Sequence, residues 1–266
     1  MEDYILEIKD LCVKYVTFDG VVKAVNNANL NIRRGTSIGL VGETGAGKTT
    51  IAKSIMKLIP SPPGVIDSGE IIFDGEDIIQ LPEEKMRKIR GNDITMIFQD
   101  PMSSLNPVLT VGDQIAEVIQ CHSSLDKKEA FKKAEEMLNM VGISSERINE
   151  YPFQFSGGMK QRVVIAIALA CNPHLLIADE PTTALDVTIQ AQVLDMMKEL
   201  RKNYNTSMLL ISHDLGVVAE NCDEIAVIYA GEIVEYGKVK DVFKNFAHPY
   251  TKGLFGSIPK LNEDVD

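Results

Sequence analysis

Three glycines, a lysine and a closing pair of threonines fall within nine residues, Gly42-Glu43-Thr44-Gly45-Ala46-Gly47-Lys48-Thr49-Thr50. The apolar run Ser37 to Val41 precedes them, and a segment with apolar residues at helical spacing, Ile51 to Ile59, follows. Glycines at a strand-to-helix turn let backbone N–H groups point inward around an anion, and the helix adds its positive N-terminal end. The spacing G-x-x-x-x-G-K-[ST] adds a lysine charge for the outer phosphates and a hydroxyl for Mg²⁺. Residues 42–50 are therefore read as the cradle of a nucleotide's phosphates, with Lys48 and Thr49 in those two roles.

Two further stretches carry matching chemistry. Leu175-Leu176-Ile177-Ala178 is a buried-strand run that ends in two carboxylates, Asp179 and Glu180. Carboxylates at the C-terminal end of a parallel strand stand where such sheets place their ligands. Asp179 suits Mg²⁺ opposite Thr49, and Glu180 suits the general base that polarises an attacking water. Ser156-Gly157-Gly158 opens an apolar helix that runs from Gln161 to Ala170. Ser156 could simply cap that helix. One nucleotide needs only one cradle, however, so a second glycine-rich helix start suggests service to a nucleotide held mainly by another copy.

The elements that position these groups are legible in outline. Residues 4–16, 21–32 and 69–73 read as strands, the last before an Asp74-Gly75 turn, and frame the phosphate loop with a β-rich layer. Residues 93–98 read as a short buried strand, and from Val111 to about Val141 the periodicity is helical. After Asp179 come helix 188–202, strand 207–212, helix 214–221, and strands 225–229 and 232–236. Strand and helix alternate there, so the sheet is expected to be largely parallel. The tail after Gly253 is expected to be mobile.

Bulk composition excludes several classes. With 266 residues, 45% hydrophobic and 24% charged, the chain has the make-up of an ordinary globular protein. A formal net charge of −11 and no large lysine–arginine block argue against a nucleic-acid partner. Cys12, Cys121, Cys171 and Cys222 form no C-x-x-C pair, and reduced thiols are expected. The longest apolar run, Val163 to Cys171, is too short to span a bilayer.

The order of motifs is specific: phosphate loop, Gln99, Ser156-Gly157-Gly158, Asp179-Glu180, Ala184-Leu185-Asp186, then His213. It resembles the nucleotide-binding subunit of an ATP-binding cassette (ABC) transporter over nearly the whole chain. The stretches from Phe98 to Pro107, from Asp179 to Gln192, and His248-Pro249-Tyr250-Thr251 resemble, more narrowly, the ATPase subunits of oligopeptide, dipeptide and nickel importers. The resemblance implies an α/β P-loop NTPase of RecA-like type, with a mostly parallel sheet, an antiparallel β subdomain and a helical signature subdomain. It implies a cassette over 1–247, with core 1–101 and 161–247 and a helical insertion at about 102–160, and a short tail over 248–266. It also implies ATP and Mg²⁺ as ligands, two membrane permease subunits, a second ABC ATPase (a different chain or a copy of this one), and an extracytoplasmic solute-binding protein. Such a subunit works from the cytoplasmic face of the membrane.

Residue roles follow from the same resemblance. Tyr15 resembles the aromatic that stacks on adenine. Gln99 resembles the residue that senses Mg²⁺ and water and links the core to the insertion. Asp186 resembles the aspartate that contacts the opposite subunit, and His213 the switch histidine at the γ-phosphate. Met159 departs from the glutamine usual after the paired glycines. Apolar groups between Met102 and Leu109, Leu105 and Val108 among them, are expected to receive a permease helix. Relatives of this kind often extend further and some carry cysteines for an iron–sulfur centre; this chain lacks those cysteines, and no such cluster is expected in it. The cargo stays open between peptide, nickel or a nickel chelate, and sugar conjugates, and a soluble ABC ATPase acting outside transport is the remaining alternative.

Overall fold

A computed structural model describes residues 3–100, 104–183 and 185–256. Two sheets carry the chain. One has four strands in the order β2-β1-β4-β5: β1 (Tyr4–Thr17), β2 (Gly20–Arg33), β4 (Gly64–Phe73) and β5 (Glu76–Asp77), all antiparallel. The other has six strands in the order β10-β9-β3-β8-β7-β6. These are β3 (Ser37–Val41), β6 (Ile94–Ile97), β7 (Leu175–Asp179), β8 (Ser207–Ser212), β9 (Glu224–Tyr229) and β10 (Glu232–Lys238). All their pairings are parallel except β9 with β10, a hairpin edge. The largely parallel core sheet with a separate antiparallel layer is the arrangement that the sequence resemblance implies.

The helices are α1 (Lys48–Ile55), α2 (Glu83–Ile89), α3 (Val111–His122), α4 (Lys127–Met140), α5 (Gly157–Leu169), α6 (Val187–Tyr204), α7 (Leu215–Asn221), α8 (Val239–Val242) and α9 (Pro249–Gly256). Side-chain caps fix several starts. Thr110 accepts from Asp113 N–H, Asp126 forms a capping box with Glu129, and Asp186 accepts from Ile189 N–H. Ser156 accepts from Met159 N–H, so α5 begins at Gly157, four residues before the apolar run that betrays it in the sequence. The tail expected to be mobile starts after Gly253; its first residues, Leu254 to Gly256, end α9, and residues 257–266 lie outside the described residues, as do Met102, Ser103 and Ala184.

The core sheet divides two apolar clusters, because successive side chains in a strand point to opposite faces. Leu175 and Ile177 of β7 and Leu209 and Ile211 of β8 pack with the antiparallel sheet and α1. Leu176, Ala178, Met208 and Leu210, their immediate neighbours, pack with α3, α4, α5 and α6. Full burial of a side chain of this size contributes about 1.5–3 kcal/mol.

Leu105 belongs to the helical cluster and is 5% exposed, whereas Val108 is 76% exposed. The buried Gln114 ties the loop between them to α3. Its Oε1 accepts from Asn106 N–H at 2.9 Å, and its Nε2 donates to the carbonyls of Asn106 and Leu109 at 3.0 and 3.1 Å. The expectation that Leu105 presents itself to a permease is thereby corrected: it is a core residue, and only Val108 of the two is available. Leu105→Asp is expected to cost more than about 3 kcal/mol, by losing a packed leucine and burying a carboxylate. Val108→Asp is expected to leave the thermal midpoint within about 2 °C, as for other exposed sites. Differential scanning fluorimetry of the two variants checks this.

Candidate nucleotide site

Four parallel strands end side by side, and each delivers one piece of the site. In register, Val41 sits beside Ser212, Ile211 beside Asp179, and Ala178 beside Ile97. The phosphate loop therefore leaves β3, His213 leaves β8, Asp179 and Glu180 end β7, and Gln99 follows β6, all at one edge of the sheet. There Gln99, Glu180 and His213 line a cavity of about 540 Å³ together with Gly42, Glu43, Thr44, Gly45, Gly47, Lys48, Thr49 and Thr50, and Asp179 lies buried behind Thr49. Gly47 shows why the loop needs glycine. Its φ is +110°, and a Cβ would stand 2.4 Å from the Ala24 carbonyl oxygen. Ala46 is buried behind the loop and its carbonyl accepts from Gly231 N–H at 3.0 Å, which ties the loop to the β9–β10 turn.

Lys48 is 6% exposed and folds back on its own loop, donating from Nζ to the Gly42 and Glu43 carbonyls at 2.7 and 2.9 Å. Burial lowers its pKa, against the pull of Glu180 and Asp179. Asp179 is 2% exposed, and burial raises its carboxyl above the usual range, opposed by a hydrogen bond with the Thr49 side chain. Its Oδ1 has no hydrogen-bond partner. A buried carboxylate oxygen left unpaired beside a threonine hydroxyl and a lysine is a donor set that fits a hard divalent cation such as Mg²⁺.

Glu180 is the hub. Its Oε2 accepts from Gln99 Nε2 at 3.3 Å and from Thr183 Oγ1 at 3.1 Å, and its Oε1 lies 3.3 Å from His213 Nδ1. Its side chain is 12% exposed, and its backbone takes φ +48°, a left-handed conformation that costs a non-glycine residue about 1–3 kcal/mol. A backbone hydrogen bond from Glu180 N–H to the Ile211 carbonyl, 2.9 Å, holds it there. The turn aims the carboxylate back across the strand ends, between Gln99 and His213.

The remaining sequence candidates fall around this hub. The Tyr15 hydroxyl lies 3.5 Å from Thr50 Oγ1, at the loop's end of the cavity. Ser156, Gly157, Gly158 and Asp186 are not among the residues that line the cavity. Within this chain Ser156 and Asp186 cap helices, and a Cβ on Gly158 would stand 2.6 Å from Ile189 Cγ2, so the two helix starts pack on each other. Met159 takes an Arg147 N–H on its sulfur at 3.4 Å. Three contributors were not singled out from the sequence: Thr183 on Glu180, and Tyr250 and Leu254 of α9. Thr183 stands within the motif that carries Glu180 and is readable there. The α9 residues follow the loop by some two hundred positions, and no local pattern links them to it.

A family model described as "ABC transporter" matches residues 25–183, more than half of the chain. The chain belongs to the ABC transporter family. A second model, "Oligopeptide/dipeptide transporter, C-terminal region", matches residues 234–266. The chain is 53% identical to the oligopeptide transport ATP-binding protein OppD of Bacillus subtilis, over 97% of its own length and 72% of the relative's. It is 50% identical to the dipeptide transport ATP-binding protein DppD of Lactococcus lactis, over 100% and 76%. Among solved structures it resembles the dimeric ATP-binding cassette MJ0796 bound to ADP and Pi, at 30% identity and a TM-score of 0.77, covering 88% of this chain and 98% of that one. This ABC protein is an ATP-binding ATPase subunit. No helix among its described residues is long and apolar enough to cross a membrane.

Proposed function

We propose that this ABC subunit hydrolyses ATP at the cavity described above to power the uptake of peptides through a partner permease. The observation that carries the cargo is the oligopeptide/dipeptide match at the C-terminus, together with relatives near 50% identity that are named for peptide transport. The chemistry rests on the hub. Lys48 exchanges the Gly42 and Glu43 carbonyls for the β- and γ-phosphates, which relieves the cost of its burial. Thr49, Asp179 and Gln99 would hold Mg²⁺, which supplies neutralising charge to the phosphates when bound. Glu180 accepts a proton from water as the water oxygen bonds to the γ-phosphorus and the bond to the β-phosphate bridge breaks, giving ADP and phosphate. Gln99, Thr183 and His213 keep the carboxylate aimed, with His213 and Gln99 also facing the γ-phosphate.

Ser156, Gly157, Gly158 and Asp186 serve a second ATPase subunit in this reading, either a related chain or a copy of this one. What supports it is that they leave their own cavity unlined while presenting a capped helix start. Tyr15 stacks on the adenine beyond Thr50. Two permease subunits dock through Val108 and its surroundings from the membrane side, so the subunit sits at the cytoplasmic face, and an extracytoplasmic binding protein delivers cargo.

Reconstitution with the permease and binding protein in proteoliposomes tests this. A tripeptide is expected to stimulate ATP hydrolysis and to accumulate inside, and Val108→Asp to suppress that stimulation while isolated-subunit hydrolysis continues. Stimulation by a nickel chelate and not by peptide would overturn the cargo assignment.

A further inference from the structure

The chemistry described so far leaves α9 without a task, yet this helix forms part of the nucleotide cavity. Leu254 is among the residues that line it, and the Tyr250 hydroxyl accepts a hydrogen bond from Glu43 N–H at 3.1 Å. The geometry around that peptide is specific. The Gly42–Glu43 peptide unit is gripped at both ends: Lys48 Nζ donates to its carbonyl oxygen at 2.7 Å, and Tyr250 takes its N–H. To reach a phosphate, Lys48 must let go of the carbonyl. Tyr250 then holds the peptide unit alone.

The tyrosine is itself firmly placed. Its ring lies against Tyr229 with centroids 4.4 Å apart, and Tyr229 ends β9, the strand that pairs with β3 below the loop. The start of α9 is anchored to β10: the Glu235 carboxylate accepts from Ala247 and His248 N–H at 2.9 and 3.1 Å. Partial burial pushes the Glu235 carboxyl up, but the hydrogen bonds from Ala247 N–H, the Thr251 side chain and His248 N–H together outweigh it and hold the group below its ordinary value. His248 Nδ1 accepts from Tyr250 N–H at 3.2 Å, which closes the turn.

We propose that Tyr250 is a positioning residue for ATP: it keeps the Gly42–Glu43 peptide oriented while Lys48 transfers from the loop to the phosphates. The His248-Pro249-Tyr250 turn is then a brace between the C-terminal region and the phosphate loop. This rests on the assignment of the cavity as the ATP site.

Tyr250→Phe removes only the hydroxyl and keeps the ring on Tyr229. In the full chain it is expected to raise the Kd of a non-hydrolysable ATP analogue about three- to tenfold, the range for one net hydrogen bond. The effect falls on KM for ATP rather than on kcat, and the nucleotide-free melting temperature stays within about 2 °C of wild type. Tyr236→Phe is the control, since it removes a hydroxyl bonded to Glu224 away from the cavity. An unchanged Kd in Tyr250→Phe, with or without a lower melting temperature, overturns the proposal, and so does an equal loss in Tyr236→Phe. Failure of the wild-type chain to bind the analogue strikes the site assignment itself, and is thereby distinguished.

Discussion

Glu180→Gln reduces Mg-dependent ATP hydrolysis by about 10²- to 10⁴-fold, the range for loss of a positioned general base. The amide keeps the size of the carboxylate and still accepts from Gln99 and Thr183 through its oxygen, so the hub survives without a proton acceptor. ATP binding is retained. In the proposed two-subunit reading, ATP held by the cavity of one subunit and the Ser156 helix start of the other bridges the pair until it is hydrolysed, so the variant is expected to accumulate as an ATP-bound pair with its companion ATPase. Steady-state phosphate release measures the first effect and size-exclusion chromatography with light scattering the second. A variant that hydrolyses within threefold of wild type would remove Glu180 from its role, and one that never pairs in the complete complex would remove the two-subunit reading.

Asp179→Asn separates stability from function in opposite directions. The wild-type carboxylate is buried, has one oxygen unpaired, and carries a pKa raised chiefly by burial. The sign follows from linkage: a carboxyl whose folded pKa lies above its unfolded value destabilises the fold once pH exceeds the unfolded value. That cost is fully present above the folded pKa and fades as acid protonates the folded group. Removing the charge is therefore expected to raise the nucleotide-free melting temperature at pH 7 by a few degrees, with the gain shrinking as pH falls through the raised folded pKa and gone below the ordinary carboxylate value of about 4. The same change deletes an anionic ligand for Mg²⁺, and Mg-dependent hydrolysis is expected to fall by more than about 10²-fold, as for other losses of transition-state charge stabilisation. Thermal melts across pH and a magnesium titration of hydrolysis check the two halves. A lower melting temperature at pH 7 would show that the charge is compensated in the apo protein.

These residues were legible because their chemistry is tied to local context. Gly42 to Thr50 and Asp179-Glu180 each follow an apolar run that can only be a buried strand, so strand, turn and reactive group can be read together. Ser156 was legible as a cap for the same reason. The division between Leu105 and Val108 was not: both are aliphatic residues in a proline-flanked loop, and only the docking of that loop on α3 through Gln114 decides which faces inward. The left-handed backbone at Glu180 had no sequence signal either, since glutamate rarely adopts it and is held there by a bond to β8. Short elements such as β5, α2 and α8 carry too few residues for periodicity to register. The contact of Tyr250 with Glu43 depends on the hairpin that turns the chain back beside β3, a matter of topology rather than pattern.

The partition of apolar side chains across β7 and β8 has a mechanical consequence. Leu176 and Ile177 are consecutive, yet their side chains belong to separate apolar clusters on the two faces of the sheet. A shift of the helices is therefore expected to disturb the cluster on one side of that bulkhead and to leave the packing behind the cradle, on the other side, in place. Under the docking proposed at Val108, a load applied there is expected to reach the strand ends, where Gln99 and Glu180 stand, without first prying open the phosphate loop.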